Sequence, residues 1–276
     1  MRTDGSPARF VFVGGCARSG TSLVQKLLVS HSAIAGGPEF DHTAAIFRLY
    51  EDMTQEWRIE RQRFYYDADA LARSFREFYE GFFTTVAASA PGVRYVSEKT
   101  PSNLLVARTL LRLWPDALFV NVVRDGRDVV LSHQDVNRRY RERGERNPER
   151  DTALSVARHW NTCTEHYFDL ANDPDLQKRV LLVEFESLVR HPEQELERLF
   201  GFLRLPVEER QLHPEAITEQ ETGVALEGAY FTEELYRQPF NPRKTERWRR
   251  EMSRPQQYLM RRLMKRNLLR FHYRID

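Results

Sequence analysis

The stretch Gly15–Ser22 reads G-C-A-R-S-G-T-S, and its residue types suit the capture of an anion. Gly15 and Gly20 allow a tight turn and a close backbone approach. Arg18 sets a planar, permanently charged fork inside that turn, suited to bidentate contact with phosphate or sulfonate oxygens. The frame G-x-x-x-x-G-K-[ST] is present with Thr21 where the lysine belongs, so the point charge that holds β- and γ-phosphates in nucleotide hydrolases is missing. Further candidates stand at the ends of apolar runs. Lys99 follows one such run, and Arg124 follows another, with Ser132 eight residues later. Arg124 and Ser132 converge on one anion if the intervening helix packs alongside the glycine turn. Glu39 is the only carboxylate between His31 and Phe40, and His31 and His42 are the alternative bases nearby.

The elements that must position these groups are readable from periodicity. Phe10–Val13 is a short continuous apolar run stopped by glycines, which predicts a strand buried on both faces. From Thr21, the apolar residues Leu23, Val24, Leu27 and Leu28 recur at helical spacing. Strand, glycine turn and helix together aim backbone N–H groups and a helix dipole at one anion. Val93–Ser97, Ala117–Val123 and Arg179–Phe185 are further strands. Helices are expected over Thr43–Met53, Asp69–Ala88, Thr152–Leu170, Glu193–Leu203 and Pro255–Leu269, and another after Thr100, with Pro101 at its first position. The aromatics Phe75, Phe78, Phe82 and Phe83 read as core. His31–Phe40 reads as a loop over the carboxyl edge, Arg138–Arg150 as a charged loop, and residues 207–240 as a lid over the site. Alternating strands and helices predict an α/β single domain over 1–276, with a mostly parallel central sheet, helices on both faces and a flexible N-terminus over 1–8.

Composition narrows the function classes. The chain has 276 residues, 41% of them hydrophobic and 30% charged, with a net charge of +2, which excludes a general nucleic-acid binder. Cationic residues concentrate over 241–274, as an anionic ligand would favour. The two cysteines, Cys16 and Cys163, show no metal spacing, and Cys16 reads as a small filler. No signal peptide and no apolar run of the roughly 20 residues a membrane span needs is seen, so a cytoplasmic protein is expected. The high arginine-to-lysine ratio suggests a bacterial coding sequence. Monomer and homodimer both stay open.

Several separated motifs resemble those of the sulfotransferases that use PAPS (3′-phosphoadenosine 5′-phosphosulfate). Arg18-Ser19-Gly20-Thr21-Ser22 is similar to their 5′-phosphosulfate loop. The segment from Arg124 to Ser132 resembles their 3′-phosphate motif, Val183–Leu188 their Y-E-x-L segment beside the adenosine, and Lys244 to Trp248 their late K-x-x-R-W segment. The spacing is closest to the tyrosylprotein branch, in which a catalytic Glu and a Lys correspond to Glu39 and Lys99. This chain departs from that branch at Val136, where a further Arg is the pattern, at Phe185-Glu186, where Tyr-Glu is, and in lacking the membrane anchor of the Golgi enzymes.

The resemblance implies PAPS as co-substrate, PAP as product and no metal in the reaction, with transfer of a sulfuryl group to an acceptor hydroxyl on a small molecule or a tyrosine-containing peptide. It implies Glu39 as general base, with Arg18 and Lys99 stabilising the leaving group. Cofactor contacts fall to Arg18, Ser19, Gly20, Thr21, Ser22, Arg124, Ser132, Phe185, Lys244 and Arg247. Two other classes stay in view: a P-loop kinase or nucleotide hydrolase using ATP with Mg²⁺, and a non-catalytic adenine-nucleotide-binding module.

Overall fold

Strand β1, Arg9–Gly15, is the centre of a five-stranded sheet because both of its faces are apolar. Phe10 and Phe12 enter one core with Tyr79 and Trp114, and Val11 and Val13 enter the other with Val24, Leu27 and Leu28. Burying each such side chain contributes about 1.5–3 kcal/mol, which a helix with one solvated face could not match. The fold is described from a computed structural model that covers residues 9–89, 91–147, 152–223 and 236–275. The other strands are β2 (Ile34–Gly36), β3 (Tyr95–Lys99), β4 (Leu118–Val123) and β5 (Val180–Glu184), in the order β2-β3-β1-β4-β5, and every pairing among the described residues is parallel.

Helices cover both faces, as expected. On the face of Phe10 and Phe12 lie α2 (Thr43–Met53), α4 (Ala68–Ala87), α5 (Ala107–Leu113), α6 (Gly126–Glu142), α7 (Ala153–Ala171) and the C-terminal helix Arg254–Arg270. On the other lie α1 (Thr21–Val29), α8 (Phe185–Arg190) and α9 (Pro192–Phe202). The short α3 (Glu56–Gln62), with no buried residue, sits between α2 and α4.

The structure corrects three expectations. Arg138–Glu142 is not loop but the last turn of α6, because Arg138 pairs with Asp135 at 2.8 Å and Glu142 at 3.8 Å, and Arg139 and Tyr140 lie half-buried. Of the four aromatics read as core, Phe78 and Phe82 are instead about half exposed, at 56% and 49%. Residues 207–212 do not cover the carboxyl edge. They pack at the far end of α1, where Gln211 donates to Ser30 Oγ at 3.2 Å and Glu208 accepts the Ser32 N–H at 3.1 Å. The chain then climbs back, so that Gly223 lies against Pro38. Residues 1–8, 148–150 and 224–235 lie outside the described residues.

Candidate active site

The register of the sheet delivers the chemistry to one edge. Val13 lies opposite Lys99, Gly15 opposite Val122, and Val123 opposite Glu184. The glycine turn, Lys99, Arg124 and Phe185 therefore leave the sheet side by side at its carboxyl edge, where open α/β sheets take ligands.

The turn is closely fitted. Gly15 has φ 149°, and a Cβ on it would sit 2.3 Å from the Val122 carbonyl oxygen. Gly20, the N-cap of α1, has φ 102°, and a Cβ there would come within 2.6 Å of the Phe185 ring. Ser19 N–H donates to the Cys16 carbonyl at 3.1 Å, and the Ser19 side chain is fully buried under the turn. Thr21 and Ser22 open α1, where first-turn amides have no intrahelical acceptor and the dipole is positive.

Two groups of side chains flank the turn. In the first, Arg18 Nε donates to Ser132 Oγ at 3.3 Å, which brings together the two motifs that sequence spacing could only suggest as partners. Arg124 donates to the Arg18 carbonyl at 3.4 Å and to the Lys244 carbonyl at 2.6 Å, and its guanidinium stands 4.5 Å from the Phe185 ring centroid. In the second, the buried Lys99 donates to Ser22 Oγ at 3.2 Å and forms an ion pair with Glu39. The Glu39 loop is pinned on both sides. Gln25 donates to the Gly37 and Ser97 carbonyls, each at 3.2 Å. Asp41 N–H donates to Thr100 Oγ1 at 3.2 Å, and Thr100 in turn donates to the buried Glu98 at 2.7 Å. Burial pushes the Glu98 carboxyl up, opposed by the hydrogen bonds from Thr100 and Asn103.

Arg247 stands apart. Its guanidinium is engaged by Asp135 at 2.8 Å and by Glu251, so it locks the late segment to α6 one turn beyond Ser132. Of the alternative bases, His31 is buried at the far end of α1 against Phe200, which removes it from the edge, whereas the exposed His42 lies against Phe40.

A buried ionic layer underlies Arg124. Asp125 caps α6 and holds Arg127 through bonds of 2.9 and 2.7 Å, and Arg127 stacks 3.6 Å from the Trp248 ring centroid. Asp128 accepts the Trp248 N–H at 2.8 Å. Glu186 accepts the Asp125 N–H at 3.0 Å and the Tyr273 O–H at 2.9 Å. Burial pushes Asp128 up to about 6 and Glu186 up to about 7, against the pull of Arg124 and of the donated N–H bonds. Sequence reasoning assigned none of these carboxylates. The signal available was their position immediately beside motif residues, Glu98 before Lys99 and Glu186 after Phe185.

A guanidinium in a glycine turn, bonded to the serine that follows a second arginine by eight residues, matches a known family. The family model described as "Sulfotransferase family" matches residues 10–209. The chain belongs to the sulfotransferase family. The chicken (Gallus gallus) protein-tyrosine sulfotransferase 2 is 28% identical over 248 residues, covering 86% of this chain and 62% of that enzyme. The chain spans less than two thirds of the chicken, Drosophila melanogaster and Danio rerio enzymes, at 62%, 46% and 65%. The sulfotransferase domain from the curacin biosynthetic pathway shares the fold at TM-score 0.65 and 17% identity, with both chains covered completely. A mouse sulfotransferase complexed with PAP shares it at TM-score 0.56 and 12% identity, covering 95% of this chain and 85% of that one.

Membership of the sulfotransferases removes the ATP-dependent kinase or hydrolase reading. The relatives also correct the expected compartment. They are protein-tyrosine sulfotransferases, the branch of the Golgi enzymes, so the cytoplasmic expectation falls. Among the described residues no helix is long and apolar enough to cross a membrane. The expected bacterial source finds no support in these animal relatives.

Proposed function

We propose that the chain transfers the sulfuryl group of PAPS to the phenolic hydroxyl of a tyrosine in a protein or peptide. The observation that carries the reading is the Arg18–Ser132 hydrogen bond of 3.3 Å with Arg124 on the Arg18 carbonyl, because it makes one cradle of the two predicted anion sites. Arg124, Ser132 and the Phe185 ring take the 3′-phosphate side of PAPS, and the Thr21 and Ser22 amides take the 5′ side. Lys244 lends its carbonyl to fix Arg124, Gly20 leaves room for Phe185, and Ser19 and Arg247 act by holding the turn and the late segment in place. Choice of PAPS over ATP follows, since ATP has no 3′-phosphate to engage Arg124.

The chemistry is an in-line displacement resembling loose phosphoryl transfer. The tyrosine oxygen attacks sulfur, the bond from sulfur to the bridging oxygen breaks, PAP leaves, and Glu39 takes the tyrosine proton. Lys99 and Arg18 stabilise the charge that builds on the leaving oxygen. Before substrate arrives, Lys99 and Glu39 neutralise one another, so the acceptor hydroxyl enters between two groups already poised for it. An apolar shelf adjoins this point: Phe40, next to Glu39, packs 5.1 Å from Phe82, which packs 5.0 Å from the exposed Phe78. The tyrosine specificity named for the relatives and this shelf both favour an aromatic acceptor.

The test is single-turnover transfer of radiolabelled sulfate from PAPS to tyrosine peptides, simple phenols and alcohols, alongside thermal shifts with PAP and with ATP–Mg²⁺. A specific ligand at 100 times its Kd stabilises by about 2.7 kcal/mol. Stabilisation by PAP with label on the tyrosine peptide is the expected result. PAP binding with no label on any acceptor returns the chain to a non-catalytic binding module.

A further inference from the structure

In the core on the Phe10 and Phe12 face, beside the glycine turn, lies a cluster the proposed reaction does not use. Cys16 follows Gly15 at the end of β1, and His159 and Cys163 sit one helical turn apart on α7. The two sulfurs and one His159 ring nitrogen all lie within 4.8 Å of one another. Cys163 Sγ and His159 Nε2 are 3.5 Å apart. Zinc bonded tetrahedrally to sulfur at about 2.3 Å and to nitrogen at about 2.0–2.1 Å needs its donors about 3.6 Å apart. Two donors already stand at that separation, and the Cys16 sulfur lies within 4.8 Å of both.

A second observation points to an occupant. A cavity of about 10 Å³, room for one water or one ion, lies between Cys16, Cys163, Ser19 and Asn121. Ser19 and Asn121 line it, both more than nine-tenths buried, and neither Ser19 Oγ nor Asn121 Oδ1 has a hydrogen-bond partner. A buried polar oxygen left without a partner costs about 1–3 kcal/mol, so such groups usually mark a missing occupant. A water on the ion's fourth position would satisfy them. Cys16 and Cys163 form no disulfide, and His159 is exposed, which leaves a route in from solvent.

We infer that Cys16, His159 and Cys163 form a site for a soft divalent cation of the Zn²⁺ class, with its fourth position facing Ser19 and Asn121. Two thiolates and an imidazole select Zn²⁺ over Mg²⁺ or Ca²⁺, which prefer oxygen. The ion's effect would be on the turn rather than on sulfur chemistry. The Cys16 carbonyl accepts the Ser19 N–H that closes the turn, and Trp160, beside His159, donates to the Arg124 carbonyl at 3.0 Å. A bound ion therefore ties the turn to the helix that also positions Arg124.

The experiment is anaerobic titration of the reduced, chelator-treated full chain with Co²⁺, read by absorption, followed by displacement with Zn²⁺. One Co²⁺ per chain is expected, with thiolate-to-cobalt charge transfer and the ligand-field bands of a tetrahedral ion, all bleached by Zn²⁺. His159→Ala, on an exposed position, should keep the circular dichroism of the parent and weaken Co²⁺ binding by more than the about 10–100-fold that follows loss of an outer-shell partner. Cys163→Ser should remove about half of the charge-transfer intensity, one of two thiolate ligands being gone. No charge-transfer band in the parent chain overturns the proposal. So does a band that is unchanged in both His159→Ala and Cys163→Ser.

Discussion

The two sides of the glycine turn are built differently. On the Arg124 side, a guanidinium is fixed by two carbonyls and an aromatic ring and rests on a buried layer of Asp125, Arg127, Asp128 and Glu186. On the Glu39 side, Glu39 keeps a quarter of its side chain in solvent, and its loop hangs on single hydrogen bonds from Gln25 and to Thr100. A nucleotide grip gains from preorganisation, because donors already in place reorganise little when the anion arrives. A proton acceptor must be reached by a second substrate, and full burial would prevent that.

The contrast makes graded predictions. The largest effect belongs to Glu39→Gln, which should lower single-turnover transfer by about 10²–10⁴-fold, the usual range for a general base. Stabilisation by PAP should stay intact, and an equal loss of both would dissolve the division between the two sides. Arg124→Ala should do the reverse, weakening PAP binding by about 2–3 kcal/mol, the scale of a hydrogen bond to a charged group, as read by calorimetry.

Glu186→Gln probes the buried layer through pH. The Glu186 carboxyl is lifted from 4.5 to about 7, so the folded chain holds a proton that the unfolded chain releases between those values. Its contribution to stability is complete below pH 4.5 and is lost as pH rises through about 7, a change of about 3 kcal/mol. Denaturant melts across this window should show the fall in the parent and a flatter profile in Glu186→Gln. Asp128, lifted from 3.8 to about 6, adds a fall of the same sign at lower pH. The smallest effect is that of Ser132→Ala, about 0.5–1.5 kcal/mol in PAP affinity, since Arg124 remains.

Legibility in the sequence follows the same divide. Strands β1, β3, β4 and β5 were readable because runs buried on both faces have few polar interruptions. β2 was not, because three residues ending in glycine carry no period. The end of α6 was misread as loop since charge alone does not separate a solvated helix from a loop; its pairing at three- and four-residue spacing does. Arg18, Lys99, Arg124 and Ser132 were legible because each belongs to a motif, and the structure sets each at the expected edge. Asp128 and Glu186 were not, because a carboxylate in a sequence reads as surface until its donors are seen. The Cys16–His159–Cys163 cluster escaped for a related reason, as its third member arrives from a different element.

The contact between Gly20 and Phe185 carries an evolutionary consequence. With no space between them for even one methyl group, residue 20 cannot enlarge while the ring at 185 stays in place. Any lineage that enlarges residue 20 must first shrink the ring at 185, and thereby strip the Arg124 guanidinium of its aromatic neighbour. Glycine turn and guanidinium setting are inherited as a linked pair.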